Sequence, residues 1–145
     1  MSDQTPSVDE MKAFNQQIID EFRAAEGKVS GHFEGQMMAV VTTTGAKSGE
    51  KRTNPLVAGR NSDDHVYVIA SAAGSPKHPA WYHNVLANPT VDVEVGTESF
   101  EATARSADEP ERTELYAAMV ARMPQFDEYQ EGNPRTIPVV ILERN

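Results

Sequence analysis

Apolar residues along this chain change their spacing several times, and each change marks an element. Near the start, Met11, Phe14, Ile18, Phe22 and Ala25 recur at gaps of three and four, the period of one helix face. Ser7 and Glu10 have the spacing of a capping box, and Gly27 is a natural stop. The spacing predicts an amphipathic helix, with residues 1–8 expected as a flexible N-terminus. Its polar face mixes Asp20 and Glu21 with Lys12 and Arg23, which suits packing on the domain's own sheet better than a basic membrane-surface helix.

From Gln36 to Arg105 the pattern is that of strands. Met37 to Thr44 is apolar and β-branched, and Gly45 with Gly49 brackets a turn. Lys51 to Gly59 reads as a second strand, in which Pro55 removes a ladder donor and so implies an edge or a bulge. Asn61-Ser62-Asp63-Asp64 turns the chain again, and His65 to Ser71 is a third strand. Val91, Val93 and Val95 alternate with Asp92 and Glu94, a strand with one wet face. Gly96-Thr97 suits a tight hairpin, with Phe100, Ala102 and Ala104 on its far arm. Thr136 to Glu143 is the last strand. Two helices interrupt the series: Pro79 to Ala87, which starts on a proline and stops at Asn88-Pro89, and one opened by Asp108 that carries Leu115, Met119 and Arg122. Between that helix and the last strand, MPQFDEYQEGNPRTIP has no periodicity and reads as a loop. Six short strands, a leading helix and two inserted helices predict a mainly β fold with helices, of the α+β class, built as a small six-stranded barrel. No repeat or low-complexity tract divides residues 1–145, so a single domain is expected.

Composition narrows the partners. The 145 residues carry 22 Asp+Glu against 13 Lys+Arg, a net charge of -9, which argues against a nucleic-acid groove. Cysteine is absent, which removes disulfides and thiolate chemistry. No apolar run approaches a membrane span and no signal peptide is visible, so a soluble, cytoplasmic protein is expected. Monomer and homodimer both remain open, as does peripheral contact with a membrane.

One stretch breaks the global charge. Residues 36–60 hold Lys47, Lys51, Arg52 and Arg60 against Glu50 alone, a balance of +3 that leaves -12 for the other 120 residues. A glycine-punctuated turn there can aim backbone N–H groups, a hydroxyl and cationic heads at one phosphate. The same cations could equally blunt an edge strand. In GSPKHPAWYHNVLANP, Trp81 adjoins Tyr82 and stands one helical turn from Asn84, so an aromatic wall and an amide could meet a planar ligand; Trp81 could also be a core residue only. Met123, Phe126 and Tyr129 could line a pocket at the barrel mouth or simply cover the core. His32, His65, His78 and His83 have no metal-site spacing, and no metal is expected. Neither a G-x-S-x-G elbow nor a G-x-G-x-x-G turn occurs.

Taken together and in order, these segments resemble the deazaflavin-dependent nitroreductase family, oxidoreductases of actinobacteria that use reduced coenzyme F420. The likeness runs from about Gly35 to Glu143 and rests on TTTGAKSGEKRTNPL, VIAS, HPAWYHNVLANP with VDVEV behind it, and RTIPVVILER. The resemblance implies a split β-barrel of the FMN-binding type. It implies that Lys47, Ser48 and Arg52 hold the cofactor's phosphate and acidic tail, and that Asn54, Pro55 and Leu56 run along the deazaflavin. Ala70 and Ser71 would then meet the ring, with Trp81 and Asn84 flanking it. Met123 and Phe126 stand where some relatives place tyrosines over the acceptor, while Tyr129 keeps one, which implies a more apolar acceptor pocket. The implied reaction is hydride transfer to a small organic acceptor such as a quinone, an enone or a nitroaromatic, with Ser71 and Tyr129 as the catalytic hydrogen-bond donors. An FMN enzyme on the same barrel, or a cofactor or ligand carrier without turnover, are the alternatives.

Overall fold

Among the described residues six strands form the body of the molecule: β1 Met38–Thr44, β2 Lys51–Arg60, β3 Val66–Ile69, β4 Thr90–Val95, β5 Glu98–Ser106 and β6 Val139–Arg144. All pair antiparallel, and they close into a barrel in the order β1-β2-β3-β6-β5-β4, with β4 returning to β1. Four α-helices accompany them among the described residues: α1 Val8–Ala24, α2 Ala80–Ala87, α3 Glu111–Arg122 and α4 Gln125–Gln130. This computed structural model describes residues 8–25 and 37–145. Ser7 of the expected capping box, the Gly27 stop, His32 and Gly35 lie outside the described residues.

The barrel interior is filled by small and β-branched residues from alternate positions, among them Val41, Val68, Val93, Ala102, Val140 and Leu142, and α2 seats Trp81, Tyr82 and Val85 against them. Strand β6 is apolar on both faces because both are covered. Val140 and Leu142 point into the barrel, while Val139 and Ile141 pack under Tyr116, Met119 and Phe126 of α3 and α4. Continuous apolar runs are what burial on two faces demands.

Helix α1 lies where its period predicts, but it is rotated by one position. Ile19 and Phe22 are the residues it buries, at 3% and 2% exposed, against Met38 and Val40. Phe14 stays 48% exposed. The reason is that Phe14 and Ile18 border a cavity, with Ile18 also packing against the cluster of Met38 and Val40. The segment read as a loop from Met123 onward also holds α4, six residues long.

Strand β2 is the split in the barrel. It pairs with β1 along Lys51 to Val57, but with β3 only from Ala58 to Arg60. Residues 51–57 therefore show an edge with no strand partner among the described residues, as Pro55 implied. Ala58 donates its N–H to Met37 across the β1 side, so ladder alternation turns the backbone of Pro55 away from β1. The missing N–H costs nothing there, and the open edge becomes a wall of the site.

Candidate functional site

The turn between β1 and β2 is built by its own backbone. Gly45 donates to the Glu50 carbonyl at 2.8 Å, Gly49 donates to the Gly45 carbonyl at 3.0 Å, and the Glu50 N–H donates to Ser48 Oγ at 3.1 Å. Gly49 sits at φ +72°, where a side chain would be strained. From α2, Asn84 pins the turn: its Oδ1 accepts the Ala46 N–H at 3.0 Å and its Nδ2 donates to Thr43 Oγ1 at 3.2 Å. Asn88 adds a bond from its Nδ2 to the Thr44 carbonyl at 3.3 Å.

This turn forms one end of a cavity of about 1040 Å³, lined by Lys47, Ser48, Lys51, Arg52 and Thr53 together with Trp81, His83 and residues of α1. Lys47 has no hydrogen-bond or ion-pair partner among the described residues. Lys51 donates to Thr44 Oγ1 at 3.1 Å, and Arg52 pairs with Glu50 at 3.1 Å on the exposed surface. The chemistry of that end is therefore three cationic heads and hydroxyl donors, with one carboxylate competing for them.

A second cavity of about 500 Å³ adjoins it, lined by Pro55, Leu56, Ile69, Ser71, Met123, Phe126 and Tyr129, with Phe14 and Ile18 of α1 at its border. Asn15, Asn54, Pro79 and Trp81 line both cavities. The two volumes are thus one groove, cationic at the β1–β2 turn and apolar at α4, with the unpaired edge of β2 along its length. Phe126 stands edge-on to Tyr129, with ring centroids 5.3 Å apart, and edge-on to Tyr116 at 6.5 Å. The Tyr116 hydroxyl donates to the Phe126 carbonyl, and burial pushes that hydroxyl up to about 12, so it keeps its proton.

The groove gathers Lys47, Ser48, Arg52, Asn54, Pro55, Leu56, Ser71, Trp81, Met123, Phe126 and Tyr129 from distant parts of the sequence. Two expected residues stand differently. Ala70 is wholly buried and lines neither cavity, because alternation along a strand end turns Ala70 and Ser71 to opposite sides. Asn84 borders the larger cavity, and its amide bonds Ala46 of the turn and Thr43 of β1, so it shapes the site. Trp81 serves both readings offered for it, packing on the core and walling the groove. Sequence reasoning missed Asn15, Gln16 and Ile19 of α1 and His83, while Lys51 and Thr53 come from the basic stretch it had singled out. The amides of Asn15 and Gln16, set on a helix beside Ile18 and Ile19, were the available signal.

Among the described residues no helix is long and apolar enough to cross a membrane. Residues 15–144 match the family model of the F420H(2)-dependent quinone reductases. An F420H(2)-dependent quinone reductase of Mycobacterium tuberculosis strain H37Rv is 33% identical over 127 residues, which cover 85% of each chain. The solved structure of an F420-H2 dependent reductase, FDR-A, superposes with a TM-score of 0.67 at 43% identity, covering 73% of this chain and 93% of that one. A second solved structure, described as a domain-swapped dimer, gives a TM-score of 0.69 at 37% identity, covering 94% of this chain and all of its own.

Proposed function

Because the chain belongs to the F420H(2)-dependent quinone reductase family, we propose that it passes a hydride from reduced coenzyme F420 to a quinone held in the apolar end of its groove. The chain is a reductase dependent on reduced coenzyme F420, on a split-barrel fold. The residues present fit that cofactor. Lys47, which has no partner among the described residues, with Ser48, Lys51 and Arg52 supplies the donor set for a phosphate and an acidic tail, and the β2 edge beside Trp81 supplies a wall for a planar ring. When bound, the reduced deazaflavin supplies the hydride.

The protein's own residues then have three tasks. Lys47, Ser48 and Arg52 bind the anionic part. Asn54, Pro55, Leu56 and Trp81 orient the ring at the waist where the two cavities meet. The apolar lining from Ile69, Met123 and Phe126 excludes water, while the hydroxyls of Ser71 and Tyr129 donate to the acceptor oxygen as it gains charge. We favour a quinone over a nitroaromatic as the acceptor because the matching family is that of the quinone reductases, and a flat apolar body suits this lining. The observation that carries the reading is the continuity of the groove: Asn54 and Trp81 border both its cationic and its apolar part. Family membership favours deazaflavin over FMN. A homodimer is the assembly we favour, since a 37% identical structure is described as a domain-swapped dimer.

The test is to mix the protein with reduced coenzyme F420 and follow the return of the oxidised deazaflavin's absorbance on adding a naphthoquinone, an enone or a nitroaromatic. Saturable oxidation, fastest with the quinone, is expected. Tight cofactor binding with no oxidation by any acceptor would identify a carrier instead, and a yellow flavin retained through purification would identify an FMN protein.

A further inference from the structure

The lead-in to β6 carries a cation that neither the core nor the groove uses. Arg135 is half-buried and reaches across the end of β3. Its Nη2 donates to the Ser71 carbonyl at 2.8 Å, its Nη1 to the Ala70 carbonyl at 3.1 Å, and its Nε to the Ser75 carbonyl at 3.0 Å. Nη1 also lies 3.1 Å from His78 Nδ1. Asn133 completes the arrangement. Its Nδ2 donates to the Gly74 and Ser75 carbonyls at 3.1 Å, and its Oδ1 accepts the Arg135 N–H at 3.1 Å. Arg135 makes no ion pair with a carboxylate among the described residues, so carbonyl dipoles and one imidazole are what hold it.

The segment it grips is strained. Ala72 sits at φ +47°, a left-handed conformation that a residue with a side chain rarely adopts. Gly74 sits at φ +85°, and a Cβ there would stand 3.2 Å from Tyr129 Cδ1 and 3.3 Å from its Cα. Such strain persists only where the surroundings over-determine it, and here Arg135 and Asn133 are those surroundings. The same segment begins with Ser71, 9% exposed and lining the apolar end of the groove, and its middle packs against Tyr129.

We propose that Arg135 is a positioning residue whose guanidinium, with the His78 ring as partner, fixes the Ser71–Ser75 turn and so aims the Ser71 hydroxyl and the Tyr129 ring at the acceptor. The second half rests on the reading of Ser71 as a donor to the acceptor. A lysine cannot substitute, because one ammonium cannot reach three carbonyls in the plane of a fork. His78 takes part only while Nδ1 is unprotonated, since it accepts the Arg135 bond there. The groups facing His78 are Arg135, His83 with ring centroids 5.8 Å apart, Tyr82 at 4.8 Å, and Asp108, Glu109 and Arg112 around a shallow shared cleft of about 290 Å³. Burial first, then Arg135 and His83, hold His78 below its ordinary value of 6.5. Acidification through that lowered value removes the acceptor and sets two cations in contact, so the grip loosens as pH falls.

Amide hydrogen exchange on the whole protein without cofactor tests this directly. In Arg135→Gln, exchange across residues 71–75 should rise by about tenfold or more while the barrel strands stay protected. Arg135→Lys should recover only part of that protection. With reduced cofactor and quinone, kcat of Arg135→Gln should fall by up to about 100-fold, the scale of an ångström-level misplacement, with cofactor Kd held within about twofold. His78→Asn puts a non-titrating acceptor near the Nδ1 position and keeps the barrel intact should Arg135→Gln fail to fold. It should keep the turn protected at neutral pH and abolish the acid-driven rise in exchange. Wild-type exchange at 71–75 in Arg135→Gln, or an unchanged acid response in His78→Asn, would overturn the proposal. Ser71→Ala separates the two claims: an unchanged kcat there, with a freed turn in Arg135→Gln, removes Ser71 from the reaction and leaves the clamp standing.

Discussion

Charge at the β1–β2 turn can be tested with three substitutions that should not all point the same way. Lys47 has no partner to give up among the described residues, so Lys47→Ala removes one charge-assisted contact outright. At an exposed turn that is worth about 1.5 kcal/mol, a rise of about tenfold in cofactor Kd. Arg52 differs, because it is already paired with Glu50 at 3.1 Å, with side chains 55% and 66% exposed. An exposed pair of this kind is worth about 0.5 kcal/mol. Arg52→Ala therefore loses only about 1 kcal/mol net, roughly fivefold in Kd. Glu50→Gln should do the reverse. It releases Arg52 and removes a carboxylate from beside an anionic ligand, tightening binding by about two- to fivefold. Fluorescence titration of the oxidised cofactor at low and high salt measures all three, and salt should shrink each difference. Weaker binding in Glu50→Gln, or equal binding in Lys47→Ala and wild type, would refute an anion seated on this turn.

Three further outcomes follow from the packing. Phe126→Ala should destabilise the fold by about 3–5 kcal/mol in chemical denaturation, the usual loss for a buried phenyl ring, and raise the acceptor KM while sparing cofactor Kd. Asn84→Ala deletes the two bonds that tie α2 to the turn. A loss of about 2 kcal/mol in stability is expected, together with weaker cofactor binding, although the amide is turned toward the protein. For His78 the folded value lies below the unfolded one, so its contribution is whole above about pH 6.5 and is lost as pH falls through the folded value. Wild type should accordingly lose more Tm than His78→Asn between about pH 7 and about pH 5.

The strands were legible because each has a period of two or a run of β-branched residues, and Pro55 even marked where β2 would stay unpaired. The short helix α4 was not, since the six residues between Pro124 and Glu131 are too few to show a period, although Phe126 and Tyr129 stand three apart. The facing of α1 failed by one position because two of its apolar residues border a cavity, and a hydrophobic pattern cannot distinguish a cavity wall from a core. In the groove, the +3 stretch supplies the lining at the β1–β2 turn, and Met123, Phe126 and Tyr129 supply it at the other end. The roles of Asn84 and Arg135 were invisible for a different reason. Asn84 binds Thr43 across 41 positions and Arg135 binds Ser71 across 64, and such pairings exist only once the barrel has closed. Ala70 was assigned beside Ser71 where strict alternation already separates them.

The central claim is that one groove seats the cofactor's anion on the β1–β2 turn and the acceptor under α4. A crystal structure of the protein with coenzyme F420 and a quinone analogue measures this most directly. The account predicts phosphate density within hydrogen-bond reach of Lys47 and Ser48, the deazaflavin along Asn54 to Leu56 beside Trp81, and the analogue between Ser71 and Tyr129. Phosphate density at the α4 end, or a cofactor seated in the shallow cleft of His78 and Arg112, would contradict it.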